Sequence, residues 1–146
     1  MSDMAFDGFG DLFPEITELN APYWQGLAQG EVRLQKCGRC GAHQYPAETF
    51  CYECGAREMF WVRVKGEGVI YSFTVVHQVY HKLFKLFVPY VVAIVQMDEG
   101  PRMLSAMLGL KRTLRIGERV KPCIRVVDKE KAFLTYVPVM ESADAH

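Results

Sequence analysis

The sequence predicts a mainly β protein in three parts: a short N-terminal helix, a rubredoxin-like zinc ribbon, and a five-stranded barrel of the OB (oligonucleotide/oligosaccharide-binding) type. Three observations carry this expectation. Cys37, Cys40, Cys51 and Cys54 form two C-x-x-C pairs with ten residues between them, a spacing that can aim four thiolates at one metal ion. Downstream of residue 64, short runs rich in β-branched and aromatic residues alternate with turn residues, which is the pattern of a small all-β unit. Upstream of the cysteines, apolar residues recur at helical spacing. The expected boundaries are an arm and helix over 1–30, the ribbon over 31–63, the barrel over 64–140 and a polar, frayed tail over 141–146.

Residues 1–13 are glycine- and acid-rich without periodicity and read as a flexible arm. The helix is expected over 20–30. Asn20 suits the cap, Pro22 suits a first turn where no N–H is needed, and Gly30 suits the stop. Its stripe of Tyr23, Trp24 and Leu27 serves either a core or a partner. The ribbon should use 31–36 and 58–64 as strands, with 44–50 carrying Pro46 between the knuckles. Glycines at 41 and 55 follow each second cysteine and let backbone amides turn toward sulfur. The barrel strands are expected over 69–77, 88–97, 102–108, 118–127 and 132–139. Gly66 and Gly68 are placed to bend the first of them.

A metal ringed by four sulfurs has no open position for water or substrate, so the site reads as structural, with one zinc per chain. Two disulfides are the competing use of the same cysteines. No secretory signal is legible at the start of the chain, and a reducing cytoplasm favours metal. His43 could replace a ligand, but four cysteines already complete the shell. Cys123 reads as a small hydrophobe in a strand. His77 and His81 have no nucleophile or orienting acid nearby in sequence, and a surface role fits them better than acid–base chemistry. No G-x-S-x-G, P-loop, H-E-x-x-H or dinucleotide fingerprint is present.

The chain of 146 residues is half hydrophobic with zero formal net charge, and no apolar run approaches a membrane span. Zero net charge disfavours general nucleic-acid binding, although charge is local. Lys111, Arg112, Arg115, Arg119, Lys121 and Arg125 make a basic stretch broken by Glu118. It is either a solvated face or a surface for phosphates or an acidic partner. Residues 78–88 interleave Tyr80, Leu83, Phe84, Leu86 and Phe87 with Lys82 and Lys85. Such a segment is either a short amphipathic helix over the barrel mouth or an exposed interface patch. Stacked single-stranded bases would also suit it.

Residues 22–41 (P-Y-W-Q-G-L-A-Q-G-E-V-R-L-Q-K-C-G-R-C-G), 51–55 (C-Y-E-C-G), 66–77 (G-E-G-V-I-Y-S-F-T-V-V-H), 89–100 (P-Y-V-V-A-I-V-Q-M-D-E-G) and 116–120 (I-G-E-R-V) resemble the acyl-CoA-associated zinc-ribbon/OB-fold family, DUF35. The match spans nearly the whole chain in the family's order. The resemblance implies a cytoplasmic, non-catalytic accessory subunit of a hetero-oligomer that stabilises a thiolase-type acyltransferase and helps shape its CoA or acyl site. An aldolase or hydratase acting on acyl-CoA is the alternative partner. The expected partner or CoA contacts are Tyr23, Trp24, Tyr80, Lys82, Phe84, Lys85, Phe87, Arg112 and Arg115, with a CoA thioester at the shared interface. A single-stranded nucleic-acid module is the competing reading. A stand-alone hydrolase would need a nucleophile that the sequence does not offer.

Overall fold

A computed structural model describes residues 12–108, 110 and 112–139. Most of the expected arm and the whole expected tail lie outside the described residues, as do Gly109 and Lys111. One helix and two antiparallel sheets make up the described chain.

Helix α1 spans Ala21–Ala28, with Pro22 in its first turn. Asn20 occupies the cap position, but its side chain makes no cap bond to the helix. The carboxamide oxygen instead accepts from the Thr17 amide at 2.7 Å, which folds the entry turn. Gly30 closes the helix at φ +82°, a left-handed conformation open to glycine without a Cβ penalty.

The ribbon sheet has the order β2-β1-β3, with β1 at Val32–Cys37, β2 at His43–Gln44 and β3 at Met59–Val64. The segment between the knuckles adds a third strand, β2, that stops after two residues. Pro46 has no N–H to give a ladder, and two buried glutamines take over the bonding. Gln35 donates to the Glu48 carbonyl at 3.0 Å and accepts from its amide at 2.9 Å. Gln44 donates to Gln35 and to the Phe50 carbonyl, and it accepts from the Tyr52 amide. Side-chain amides thus stand in for a strand across the knuckle loop.

The second sheet has the order β6-β5-β4-β7-β8. These strands are β4 at Gly68–Val76, β5 at Tyr90–Met97, β6 at Arg102–Met107, β7 at Arg119–Val126 and β8 at Ala132–Pro138. β4 is shared: its first residues pair with β7 on one side while its whole length pairs with β5 on the other. The ladder slips between Ile70 and Ser72, a bulge that increases the local bend. The end strands β6 and β8 come alongside each other without a ladder, so the sheet is OB-like but not hydrogen-bonded closed. The two expected bending glycines act otherwise than by kinking a strand. Gly66 sits at φ +75° in the junction between ribbon and barrel, where a Cβ would press on Pro122 and Val32. Gly68 lets β5 approach: a Cβ there would lie 2.2 Å from the Gln96 carbonyl oxygen.

One apolar core runs through helix, ribbon and barrel. Tyr23, Trp24 and Leu27 of α1 join Val32 and Leu34 of β1, Ile70 of β4, Val95 and Met97 of β5 and Tyr136 of β8. The Tyr136 hydroxyl donates to the Gly66 carbonyl at 2.6 Å, tying the last strand to the junction. Burial, with the Glu99 and Asp98 charges adding, pushes its phenol well above the ordinary tyrosine range. Phe13, expected in a loose arm, packs on Trp24 and Phe133 with ring centroids 4.5 and 5.0 Å away.

Candidate functional site

β1 delivers Cys37 at its last residue, and the turn that follows returns Cys40 beneath it. The second knuckle repeats the device: the Gly41 amide bonds to the Cys37 carbonyl, and the Gly55 amide bonds to the Cys51 carbonyl. Gly41 and Gly55 both take positive φ with open space around them. All four Sγ atoms lie within 4.8 Å of one another. Cys37 lies 3.6 Å from Cys54, and Cys40 lies 3.6 Å from Cys51. Four sulfurs about 2.3 Å from one zinc, at tetrahedral angles, stand roughly 3.8 Å apart. The cluster therefore has the size and donor set of a four-sulfur zinc site.

The surroundings of the two pairs are graded. Cys37 and Cys51 are buried, while Cys40 and Cys54 face solvent. The Cys40 amide, with the Arg39 amide beside it, holds the Cys37 thiol down to about 6. The Cys54 and Glu53 amides likewise lower Cys51. For Cys40, the pull of the Ala42 amide is outweighed by desolvation and the neighbouring thiols, which push it up to about 12. Amide donors aimed at sulfur stabilise the thiolate that a metal requires. His43 lies on β2 opposite Lys36 and is not part of the four-sulfur group. Cys123 is half-buried in β7, and its carbonyl accepts from Thr135.

The other expected contact residues divide. Tyr23 and Trp24 are 4% and 8% exposed and belong to this chain's own core, so they offer no face to a partner. The reason is that α1 lies against β1 and β8, which absorb its stripe. Residues 77–89 form an extended loop with a single 3-10 turn at Lys82–Phe84, where the sequence allowed an amphipathic helix. His81 caps that turn by accepting from the Leu83 amide. Within this loop Phe84 stacks on Tyr90 at 5.4 Å, and Phe87 is half-buried. Tyr80 is 74% exposed and Leu86 is 86% exposed, with Lys82 and Lys85 also in solvent. Phe84 lines an apolar cavity of about 220 Å³ at the β6–β8 seam, with Leu104, Phe133 and Leu134.

The basic stretch is largely engaged. Arg112 pairs with Glu118 and donates to the Thr113 carbonyl. Arg119 bridges Asp98 at 2.8 and 2.9 Å and reaches Glu67 at 3.4 Å. Arg115 is exposed, and its amide bonds to Glu118. Arg112 also lines a cavity of about 280 Å³ with Val75, Tyr90 and Leu114, at the root of the exposed loop. The sequence reading missed the outward-facing Leu104 and Ile116 and the buried glutamine pair. Strand alternation could have flagged Leu104, since it stands between inward-facing Met103 and Ser105. No local signal marks the glutamines.

The fold and the four-sulfur cluster define a zinc-ribbon/OB-fold protein. Family models agree: residues 24–59 match the ChsH2 rubredoxin-like zinc ribbon domain, and residues 61–125 match the ChsH2 C-terminal OB-fold domain. A DUF35 domain-containing scaffold protein of Methanothermobacter thermautotrophicus is 33% identical over 110 residues, covering 73% of this chain and 82% of the relative. The chain belongs to the DUF35 family of scaffold proteins. A probable enoyl-CoA hydratase alpha subunit of Thermomonospora curvata is 32% identical over 97 residues. This chain spans only 30% of that relative's length. Among solved structures, a chain of an Ltp2-ChsH2(DUF35) aldolase superposes with a TM-score of 0.76 at 29% identity, covering 86% of this chain and 98% of the other. No helix among the described residues is long and apolar enough to cross a membrane.

Proposed function

We propose that this chain is a non-catalytic accessory subunit of an acyl-CoA-processing complex, stabilising a thiolase-type acyltransferase and helping to shape its CoA or acyl site. Cys37, Cys40, Cys51 and Cys54 hold one structural zinc per chain, in a reducing cytoplasm where the thiols remain available. Bound there, the metal supplies cross-linking and no chemistry, because four sulfurs saturate it. The observation that carries the docking role is the loop around Tyr80 and Leu86. Two large apolar side chains almost fully in solvent, flanked by Lys82 and Lys85, suit the apolar core and charged rim of a protein interface. Membership of a scaffold family supports the same reading.

A second reading replaces the thiolase-type partner by an aldolase or hydratase. The likeness to a chain of an aldolase complex and to a probable hydratase alpha subunit favours it. A single-stranded nucleic-acid module is less well supported, since Arg112 and Arg119 are committed to carboxylates. Affinity purification of the natively expressed chain, with identification of what remains bound after stringent washing, decides between them. Recovery of a thiolase-like enzyme in stable proportion is expected. An aldolase or hydratase would select the second reading, and a bare monomer would end both.

A further inference from the structure

Each knuckle holds one buried and one exposed sulfur: Cys37 and Cys51 lie inside, Cys40 and Cys54 at the surface. The exposed sulfur of each knuckle stands 3.6 Å from the buried sulfur of the other, Cys40 from Cys51 and Cys54 from Cys37. The sulfurs therefore touch across the knuckles. A disulfide needs such a pair to close to about 2.05 Å. Backbone bonds brace both sides of that closure. The Cys37 amide bonds to the Ala42 carbonyl at 2.9 Å, and the Cys51 amide bonds to the Ala56 carbonyl at 2.7 Å. Cys123, in β7, is not part of the four-sulfur group.

Sulfur oxidation starts where a reagent reaches a thiolate. A hydroperoxide meets Cys40 and Cys54 first, because their partners are buried. The exposed thiolate attacks a peroxide oxygen, the O–O bond breaks, hydroxide leaves, and the sulfur becomes a sulfenic acid. The buried thiolate 3.6 Å away then attacks that sulfur. The S–S bond forms and a second hydroxide leaves. Each pair gives two electrons to one peroxide, and both hydroxides take protons from the medium to become water. With its sulfurs in disulfides, the cluster has no thiolate left to hold a metal.

We propose that the ribbon is a peroxide-responsive zinc-release switch, in which disulfides from Cys40 to Cys51 and from Cys37 to Cys54 replace the ion as the clamp between the knuckles. This rests on the reading of the cluster as a zinc site. Zinc content of the reduced chain, measured first, tests that reading alone.

The full reduced, zinc-loaded chain is then treated with a small molar excess of hydrogen peroxide. Free zinc is followed with a zinc-sensitive dye, and the disulfides are mapped by mass spectrometry. Cleavage after Lys36, Arg39, Glu48, Glu53 and Arg57 puts each cluster cysteine on its own peptide. Peptide 37–39 should be joined to 54–57, and 40–48 to 49–53. Nearly all of the zinc should be freed, and a thiol reductant with added zinc should restore it. Cys123→Ala should release zinc at the parent's rate. Amide NMR signals of residues 38–42 and 52–56 should stay dispersed in the oxidised chain. Disulfides within a knuckle, joining 37–39 to 40–48, would overturn the proposal. So would cross-links between chains, sulfinic or sulfonic acids in place of disulfides, or zinc still bound after oxidation. Collapse of the knuckle signals would also overturn it, because no clamp would then have replaced the ion.

Discussion

Glu118 shows how one side chain organises a loop that reads in sequence as a basic run. Its carboxylate accepts from Arg112 and from the Arg115 amide. The Arg112 hydrogen bond is the main cause holding its pKa below the ordinary glutamate range, against the opposing effect of partial burial. A depressed carboxylate pKa means that the folded state favours the ionised form. The stability it contributes is present above the unfolded-state value and is lost as pH falls through the lower folded value. Glu118→Gln should therefore melt below the wild type at neutral pH, with the gap closing as the medium is acidified toward pH ~3. Thermal melts across that range check it; a gap that is constant with pH would contradict the assignment. Tyr136 is a second such residue. Tyr136→Phe leaves the Gly66 carbonyl without its donor and should cost about 1–2 kcal/mol in denaturant unfolding.

The ribbon's stability rests on two devices, one metallic and one made of amides. Cys51 is buried and sits 3.6 Å from Cys40, so serine in its place removes one of four thiolates from the centre of the cluster. Cys51→Ser should lose bound zinc and unfold the knuckles, weakening any complex without touching a partner's chemistry. Metal analysis and co-purification measure both effects, and full metal content with full complex activity would refute the structural role. Gln44 makes three hydrogen bonds in a buried setting. Gln44→Ala strands the Phe50 carbonyl and the Tyr52 amide and should cost about 1–3 kcal/mol. The effect should be confined to the ribbon, and hydrogen exchange of residues 46–52 would locate it.

Across the protein, α1, ribbon and barrel share one core, so a docking surface has to be sought among the elements that this core leaves outside. The 77–89 loop is such an element. Tyr80→Ala with Leu86→Ala should leave the fold and zinc content of the isolated chain unchanged, because both side chains are exposed. Complex formation should weaken by about 1–3 kcal/mol, the usual range for interface anchors. An unaltered complex would move the interface elsewhere, with Leu104 and Ile116 as the next exposed apolar residues to replace.

The order of helix, four-cysteine ribbon and five strands was legible from the linear chain because each signal is local. Cysteine spacing, glycine beside each knuckle, and alternation bounded by turns all act within about ten residues. Contacts between distant segments decided the rest. Tyr23 and Trp24 became core because β8, more than a hundred residues later, returns to cover them. The segment between the knuckles forms only a two-residue strand because two side-chain amides satisfy its backbone. Part of the basic run turned into ion pairs because Asp98 was brought to Arg119 from twenty-one residues away, while the loop folded Arg112 back onto Glu118. Which apolar and charged groups remain facing water is fixed by what packs over them, and pattern along a chain carries no record of that.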